Sequence, residues 1–469
     1  MKRYLAFDFG AESGRAIVGT LDQGRLTLEE IHRFPNVTVR LDQGLYWDAL
    51  RLFHDIQHAL RIAGRERNLQ IDGIGVDTWG VDFAFIGEDG SLLENPRVYR
   101  DPRNDGSIEK ICAVAGKEFI FRNSGIQFMQ INSLNQLFVD RQLGSPALAA
   151  AKRLLFIPDL FNYWLTGVQR AEVTIASTSQ FYNPVEKRWA TELFSKLGLP
   201  HDILPEIIQP GDKLGPLLPW LATENNLESA TVYASAGHDT ASAVAAVPAG
   251  EGDDWCYVSS GTWSLMGVEI DTPIVSDEAM ALNLTNEIGY GGKVRLLKNI
   301  MGLWLVQECR RAWVDEGRNF SYDELTTMAE QAQPNTALID VDAFLHPGDM
   351  PQKIQDWCRQ HGQTVPETPG QMVRVILESL AERYRQVLVS LEAITQRNIR
   401  VIHIVGGGSQ NKLLNRLVAQ ATQRTVIAGP VECTAIGNVL VQALGSGEVS
   451  NLAEARQIVR ASFPVEVFS

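Results

Sequence analysis

The chain has 469 residues, which at about 150 residues per domain predicts two to four domains. Hydrophobic residues make up 45% of it and charged residues 21%, a balance that excludes collagen-like, low-complexity and disordered classes. The net charge of −14 leaves no basic excess to release counterions, so we expect neither nucleic acid nor an anionic membrane surface as a partner.

The cysteines and the apolar runs indicate the compartment. Five cysteines occur without a CxxC pair, which argues against a disulfide framework or a zinc knuckle and predicts reduced thiols. No run of about 18 apolar residues is present, and the N-terminal apolar run is too short for a signal peptide. We therefore expect a cytoplasmic protein without a membrane span.

The first half opens with β-like runs separated by turn residues, and a helix follows them. Apolar residues recur at positions 50, 53, 56 and 60, which predicts one buried stripe on a helix over 47–67. The strands predicted by apolar runs and turn signals are 4–9, 15–21, 26–34, 71–77 and 81–86.

The second half begins like the first and ends in alternating helices and strands. A strand, a turn of small residues and a second strand occur near residue 4 and again near residue 255, which indicates two related domains that divide at 248–252. The alternation after residue 372 predicts a parallel sheet covered by helices. Strands are predicted at 255–258, 263–270, 400–405 and 425–428, and helices at 372–395, 411–422 and 433–444.

The turn after the first strand, residues 8–15, reads Asp-Phe-Gly-Ala-Glu-Ser-Gly-Arg. Its backbone N–H groups suit a phosphate, Arg15 adds positive charge, and Asp8 is placed to hold a metal through water. Glu12 brings a negative charge into the same turn and must point away from any phosphate. An ordinary glycine-rich hairpin explains the same residues, so the turn alone does not decide.

Residues 77–83 read Asp-Thr-Trp-Gly-Val-Asp-Phe and place Trp79 beside a glycine and two carboxylates. An indole face suits the C–H groups of a sugar, and carboxylates accept hydroxyl protons. A hairpin corner with a core tryptophan is the alternative, and spacing alone does not choose between the two.

Two later segments combine small and polar residues next to helices. In 236–243, Asp239 has the place of a general base at a helix N-terminus, with an ordinary N-cap as the alternative. In 405–411, three glycines between a strand and a helix allow a flat ligand such as adenine to lie against the backbone. Neither GxGxxG nor a Walker A sequence occurs, which argues against a Rossmann site and a P-loop.

One histidine pair has the spacing of metal ligands. His54 and His58 lie four residues apart on the helix predicted over 47–67. The sequence between them is not HExxH, and both fall away from the apolar stripe. We therefore interpret the pair as part of a solvated helix face.

Together and in this order, these segments resemble the FGGY carbohydrate kinases over nearly the whole chain. The resemblance implies an α/β fold of two RNase H-like domains, of the actin, hexokinase and Hsp70 type, with a central cleft. It implies a domain 1–247 for the sugar and the first phosphate turn, and a domain 248–469 for the nucleotide. The stretches that carry the resemblance are 77–83, 99–101, 124–128, 238–244, 259–267, 298–304 and 403–408.

The resemblance also implies roles for individual residues. Asp239 is expected to take the proton from the C1 hydroxyl of the sugar, and Asp8 is expected to lie near Mg²⁺. The residues expected to line the sugar pocket with Asp239 are Trp79, Gly80, Asp82, His238 and Thr240. The residues expected to bind the nucleotide are Ala11, Glu12, Ser13, Gly14, Arg15, Thr262, Asn299, Gln307 and Gly407.

Within this family the motifs are most similar to the branch that acts on L-rhamnulose. The resemblance therefore implies ATP- and Mg²⁺-dependent phosphorylation of that sugar at C1 in L-rhamnose catabolism, by a monomer or small homo-oligomer. Kinases of L-fuculose, L-xylulose or L-ribulose are the alternatives. A non-catalytic scaffold of the same fold that binds ATP and sugar is the rival from another class.

Overall fold

The structure is a computed structural model that describes residues 1–334 and 336–469. The chain forms two compact units. The first comprises Met1–Pro248, Glu269–Leu296 and Cys433–Ser462, and the second comprises Ala249–Val268, Leu297–Glu432 and Phe463–Ser469. After residue 248 the chain thus contributes two further segments to the first unit. The division into 1–247 and 248–469 that the sequence predicts assigns both of these segments to the second domain.

The helix Cys433–Ser446 shows why a late segment belongs to the first unit. A Cβ atom at Gly437 would overlap the carbonyl of Ser242, so the glycine allows this helix to pack closely against the helix Asp239–Ala245. The thiol of Cys433 donates a hydrogen bond of 3.1 Å to the Ala243 carbonyl. Cys433 and Ala243 are 190 positions apart in the sequence. Local sequence patterns therefore do not reveal that these two helices pack closely against each other.

The first unit is built around a six-stranded sheet that contains the predicted opening hairpin. The strand Lys2–Phe9 pairs antiparallel with Ser13–Asp22 and parallel with Gly73–Thr78, so the turn before Ser13 lies at the end of a parallel pair. In spatial order the strands are Lys213–Pro216, Thr231–Tyr233, Gly73–Thr78, Lys2–Phe9, Ser13–Asp22 and Arg25–Pro35.

Short strand pairs and helices complete the first unit. The strand pairs are Thr38–Leu41 with Gly44–Trp47, Phe83–Ile86 with Arg153–Phe156, Ala171–Glu172 with Ile207–Ile208, and Tyr182–Asn183 with Arg188–Trp189; Thr285–Ile288 is a further strand. The helices are Ala49–Arg61, Ser107–Ala115, Lys117–Ser124, Ser133–Gln142, Pro146–Ala150, Ile157–Thr166, Val173–Ala176, Thr191–Leu197, Pro219–Asn225, Asp239–Ala245, Asp277–Ala281, Cys433–Ser446 and Leu452–Ser462.

The second unit repeats the strand pattern of the first. The strand Trp255–Ser260 pairs antiparallel with Trp263–Ile270 and parallel with Val401–Val405, as Lys2–Phe9 does with its neighbours. In spatial order the seven strands of this sheet are Thr285–Ile288, Val294–Met301, Trp263–Ile270, Trp255–Ser260, Val401–Val405, Thr425–Ala428 and Glu466–Phe468. By chain, Thr285–Ile288 belongs to the first unit, and Val294–Met301 and Trp263–Ile270 each belong in part to it. The helices are Trp304–Asp315, Tyr322–Gln331, Met350–Gln360, Pro369–Thr395 and Lys412–Thr422.

The cysteines, the possible metal-ligand clusters and the helices long enough to be tested as membrane spans are three further features of the fold. All five cysteines are free thiols, and four of them are buried. Within the described ranges, no cluster of three or more His, Cys, Asp or Glu side chains has the arrangement of a metal site. In the same part of the chain, no helix has both the length and the apolar character needed to cross a bilayer.

Candidate active site

His238, Asp239 and Thr240 form a turn that opens the helix Asp239–Ala245 in the first unit. Asp239 Oδ1 accepts hydrogen bonds from Thr240 N at 2.5 Å and Thr240 Oγ1 at 3.1 Å, and lies 3.4 Å from His238 Nε2. The Asp239 side chain is 30% exposed, and no residue of the described ranges donates a hydrogen bond to its Oδ2. One carboxylate oxygen is therefore anchored and the other is available to a ligand.

The surroundings make Asp239 a better proton acceptor than an ordinary aspartate. Burial raises the pKa of its carboxyl; His238 lowers it, and the negative charge of Asp8 raises it again. The net direction is upward, because removal from water disfavours the charged form of an acid.

The backbone before Asp239 is held by residues that the sequence did not single out. Glu172 Oε2 accepts the N–H of Gly237 at 2.9 Å, and Thr174 Oγ1 accepts the N–H of His238 at 3.2 Å. Glu172 is fully buried, and burial raises its pKa to about 7. Both residues lie more than 60 positions upstream, so the contacts that fix this turn are non-local.

Gly80 and His238 border the same space, as the sequence predicts for a common pocket. The N–H of Thr78 donates to the Gly237 carbonyl at 2.9 Å, which brings the two chain segments together. A Cβ atom at Gly80 would lie 3.4 Å from His238 Nε2 and 3.3 Å from Thr178 Oγ1. The absence of a side chain therefore keeps the space beside His238 Nε2 open.

Val81 has a backbone conformation that β-branched residues rarely adopt. Its φ angle is 68°, which lies in the left-handed region and carries a steric cost of roughly 1–3 kcal/mol. Its N–H donates to Thr178 Oγ1 at 3.2 Å, and its carbonyl accepts from Ser133 Oγ at 2.5 Å and Gln136 Nε2 at 3.3 Å. These contacts hold a strained residue next to Gly80.

Asp82 is fully buried and its oxygens are occupied by protein donors. Its Oδ2 accepts the indole N–H groups of Trp47 at 2.6 Å and Trp79 at 2.9 Å, and the N–H of Tyr99 at 3.3 Å. Its Oδ1 accepts Gln136 Nε2 at 3.0 Å. This geometry gives Asp82 the role of orienting the two indoles, whose ring centroids lie 4.3 Å apart, and differs from the direct acceptance of sugar protons that the sequence suggested.

The turn between the first two strands has the compact form expected of residues 8–15. The N–H of Gly10 donates to the Ser13 carbonyl at 2.9 Å, and Asp8 Oδ2 lies 2.5 Å from the Arg15 guanidinium. A Cβ atom at Gly14 would overlap the ring of Phe34, so only glycine fits there. The half-exposed or exposed residues of this turn that were predicted to bind phosphate are Ala11, Glu12, Ser13 and Arg15.

Asp77, one of the two carboxylates that the sequence placed around Trp79, is buried beside Asp8. The two aspartates are paired in register on parallel strands, and Asp77 Oδ2 accepts Asn438 Nδ2 at 2.5 Å. Its Oδ1 is buried without a hydrogen-bond partner. Burial raises the pKa of Asp77 well above its usual range, and the charges of Asp8 and Asp239 raise it further.

The second unit contains a cavity of about 590 Å³ between its helices and the glycine-rich turn after Val401–Val405. Two predicted nucleotide residues, Gln307 and Gly407, line it, and a third, Thr262, is next to the lining residue Gly261. The apolar residues that line the cavity are Leu303, Val306, Leu325 and Val373; the charged ones are Asp323, Glu330, Lys412 and Arg416. This combination suits a flat ring system with polar edges.

The three glycines of the turn 406–408 differ in whether their position could accommodate a side chain. Gly406 has a φ of 84°, and a Cβ atom at Gly408 would overlap Ser260. A Cβ atom at Gly407 would meet no atom within 4 Å. Gly406 and Gly408 are therefore required by the turn itself, whereas the open space at Gly407 belongs to the cavity.

Of the nucleotide residues predicted in the second unit, Thr262 and Asn299 do not line this cavity. The carbonyl of Thr262 accepts the N–H groups of Gly302 and Trp304 at 3.1 Å each, so this turn is tied to the start of the helix Trp304–Asp315. Asn299 is half-buried on the strand Val294–Met301. Their contact with a nucleotide stays a prediction.

Comparison with known proteins identifies the class to which this fold and site belong. Sequence models of the FGGY family of carbohydrate kinases match residues 3–246 with the N-terminal domain and 256–446 with the C-terminal domain. The chain belongs to the FGGY family of carbohydrate kinases, which confirms the predicted fold class and the predicted enzyme class.

Relatives at higher identity carry a more specific name. A rhamnulokinase of Bacteroides thetaiotaomicron is 46% identical over 469 residues, which cover 100% of this chain and 96% of the relative. A rhamnulokinase of Enterococcus faecalis is 41% identical over 472 residues, which cover 100% and 94%.

Solved structures agree with the fold at low sequence identity. The ligand-bound xylulose kinase of Lactobacillus acidophilus matches with a TM-score of 0.81 at 15% identity, covering 100% of this chain and 94% of that one. The glycerol kinase of Plasmodium falciparum with ADP matches with a TM-score of 0.79 at 15% identity, covering 100% and 94%.

Proposed function

We propose that this chain transfers the γ-phosphoryl group of ATP to the C1 hydroxyl of L-rhamnulose, giving L-rhamnulose 1-phosphate and ADP in L-rhamnose catabolism. The observation that carries the proposal is the carboxylate of Asp239, anchored through Oδ1 and available through Oδ2. The full-length relatives named rhamnulokinase support L-rhamnulose as the sugar.

In this proposal Asp239 accepts the proton of the C1 hydroxyl as that oxygen attacks phosphorus. A group that accepts the nucleophile's proton is a recurrent part of kinase sites. The raised pKa of Asp239 increases its affinity for that proton. Because Thr240 holds Oδ1, the carboxylate does not need to reorient during the reaction.

The sugar is proposed to bind in the first unit, in the space bordered by Gly80, His238 and Thr240. Trp79 lies next to Gly80 in the chain and offers an apolar ring face to the C–H groups and the methyl of the sugar. Asp82 acts on the sugar through Trp79, because it fixes the orientation of the indole.

The nucleotide is proposed to bind in the cavity of the second unit. The open space at Gly407 lets the adenine approach the backbone, and the side chains of Leu303 and Val306 provide an apolar wall. Gln307 supplies a polar group at the same cavity. Contacts of Thr262 and Asn299 with the nucleotide, and of the turn 11–15 with its phosphates, are part of this proposal.

Asp8 is proposed to lie near the Mg²⁺ ion of the reaction and to hold it through water, while its Oδ2 remains paired with Arg15. Mg²⁺ in kinase sites is bound by one or two carboxylates together with substrate phosphates and water, without a cage of protein ligands. Asp8 is a carboxylate at the end of a strand, with Asp77 beside it, and the described residues contain no larger ligand cluster. When bound, the ion neutralises the charge that builds up on the phosphoryl oxygens.

The proposal also includes a cytoplasmic location, because free thiols such as the five present here are kept reduced in that compartment.

Sugar-dependent release of ADP tests the proposal directly. The purified protein is incubated with ATP, Mg²⁺ and L-rhamnulose, and the position of the new phosphate is read by ³¹P–¹³C coupling in the product. We expect ADP release only with sugar present and the phosphate on C1. Sugar-independent ATP hydrolysis would support the scaffold alternative, and a phosphate at another carbon would exclude the proposed role of Asp239.

A further inference from the structure

A buried ion pair on the hairpin formed by Thr285–Ile288 and Val294–Met301 contacts the proposed site. Arg295 is 0% exposed and its Nη2 lies 3.1 Å from Glu287 Oε2. Its Nε and Nη2 also donate to the Ile288 carbonyl at 3.2 Å each. Two charges removed from water are expensive, and such a pair is a weak source of stability. A role in the site accounts for the pair better than stability does.

The pair reaches one ring nitrogen of His238, and Asp239 faces the other. Arg295 Nη2 lies 3.2 Å from His238 Nδ1, and Glu287 Oε2 lies 3.3 Å from the same atom. On the opposite side of the ring, Nε2 lies 3.4 Å from Asp239 Oδ1. Glu287, Arg295, His238 and Asp239 therefore form one continuous polar chain within the first unit.

The partners of the two ring nitrogens favour one tautomer of the imidazole. A guanidinium only donates hydrogen bonds, so Nδ1 facing Arg295 acts as an acceptor. The proton of the neutral ring then resides on Nε2, where it is directed at the Asp239 carboxylate. The tautomer with the proton on Nδ1 can donate to Glu287. It places that N–H opposite the Arg295 guanidinium, however, and the lone pair of Nε2 opposite the Asp239 carboxylate.

We propose that Arg295, held by Glu287, fixes His238 as the Nε2–H tautomer and thereby positions the Asp239 carboxylate for phosphoryl transfer. The proposal rests on the proposed function of Asp239 as the base. Arg295 and Glu287 are positioning residues, since they contact His238 rather than the reacting atoms.

The consequence for catalysis follows from the anchoring of Asp239. Oδ1 has two donors on Thr240, and Nε2–H of His238 adds a third contact on the same oxygen. Without Arg295 the His238 proton moves toward Glu287, and the lone pair of Nε2 repels Oδ1. The carboxylate then loses its fixed orientation, so we expect turnover to fall while the affinity for ATP is unchanged.

The tautomer of the wild-type protein is the first measurement. Protein labelled with ¹⁵N at histidine is examined by long-range ¹⁵N–¹H correlation at pH 8 without substrate, and His238→Gln assigns the signal. We expect the proton on Nε2. A proton on Nδ1, or on both nitrogens, would overturn the proposal even if no variant could be purified.

The second measurement removes the ion pair as a unit. The double variant Glu287→Met, Arg295→Met avoids leaving one buried charge without its partner. Its matched control is Glu269→Met, Arg456→Met, because Arg456 lies 2.6 Å from Glu269 and donates to the Val244 carbonyl on the helix that Asp239 begins. Both pairs therefore combine arginine, glutamate and a backbone carbonyl.

We expect kcat of the Glu287–Arg295 variant to fall on the order of 10- to 100-fold, a part of the effect of a general base. The KM for ATP should stay unchanged, and the His238 ring signals should broaden, because neither partner of Nδ1 then holds the ring in one orientation. The control should keep the wild-type kcat and the His238 signal. Unchanged kcat in the Glu287–Arg295 variant would overturn the proposal. Absence of sugar-dependent turnover in the wild type would instead refute the proposed function, while the tautomer measurement still decides the arrangement of His238.

Discussion

Asp82 Oδ2 accepts the indole N–H of Trp79 at 2.9 Å. The same oxygen accepts the indole N–H of Trp47 at 2.6 Å, so one buried carboxylate fixes two aromatic rings. The four groups that donate hydrogen bonds to the Asp82 carboxylate are uncharged, and burial raises its pKa to about 6. The site therefore obtains a rigid indole wall at the cost of a buried charge at neutral pH.

Removal of this charge should change how stability depends on pH. Unfolded Asp82 loses its proton near 3.8, and folded Asp82 near about 6. The stability that it contributes is fully present below 3.8 and is lost as the pH rises through 6. We expect the unfolding free energy of the wild type, relative to Asp82→Asn, to fall by about 3 kcal/mol over that window. Urea unfolding of both proteins at several pH values measures this difference.

The exposed Asp42 provides the control for this experiment. Asp42→Asn at a surface turn should give a nearly constant difference from the wild type over the same pH range. A difference that rises with pH for Asp82→Asn would show that the indole N–H groups stabilise the carboxylate more than burial destabilises it.

Asp239→Asn should abolish most turnover and leave sugar binding intact. The amide keeps the shape of the carboxylate but does not accept the hydroxyl proton, so we expect kcat to fall roughly 10²- to 10⁴-fold. Initial rates give kcat, and calorimetric titration with L-rhamnulose gives the affinity. Near-native turnover of a folded Asp239→Asn protein would remove Asp239 from the mechanism.

Gly80→Ala should weaken sugar binding selectively. The new methyl would lie 3.4 Å from His238 Nε2, in the space proposed for the sugar. We expect the KM for L-rhamnulose to rise about tenfold or more, which corresponds to about 1.4 kcal/mol, with the KM for ATP unchanged. Gly250→Ala, where a Cβ atom meets nothing within 4 Å, is the control. An equal rise in both KM values would place Gly80 outside the sugar pocket.

Gly407→Val should give the opposite selectivity. The turn tolerates a side chain at Gly407, but that side chain would occupy the open space proposed for adenine. We expect the KM for ATP to rise far more than the KM for sugar, with the thermal stability close to that of the wild type. Gly250→Val also adds a side chain in open space and should change neither KM. Equal effects of Gly407→Val on both substrates would indicate a folding defect.

The repeated strand–turn–strand pattern was predictable because local signals produce it. Alternation of apolar residues and small turn residues defines both hairpins, and the strand Trp263–Ile270 has the bounds that the sequence predicts. The periodicity of apolar residues correctly predicted that a helix is present, but it was less accurate about which residues of that helix are buried. Leu50 was placed on the buried stripe of its helix and is 61% exposed, whereas Ile56 and Leu60 are fully buried.

The supporting residues of the site were not predictable, because they depend on contacts distant in sequence. Glu172 holds the backbone of Gly237 from 65 positions away, and nothing local distinguishes it from a surface glutamate. Glu287 and Arg295 offered one signal, since each is a charged residue inside a short β-like run. A charge in such a run indicates a buried partner only when the fold shows which strands meet.

L-Rhamnulose is the proposed sugar substrate, and relative kcat/KM over a panel of sugars tests this assignment most directly. Initial rates with ATP and Mg²⁺ are measured for L-rhamnulose, L-fuculose, L-xylulose, D-xylulose, L-ribulose and glycerol. A pocket that pairs hydroxyl groups rejects a sugar of the wrong stereochemistry strongly, whereas a methyl contact contributes only about 1–3 kcal/mol. We expect the highest kcat/KM for L-rhamnulose, a measurable but lower value for L-fuculose, and almost none for glycerol. A highest value for D-xylulose or glycerol would contradict this assignment.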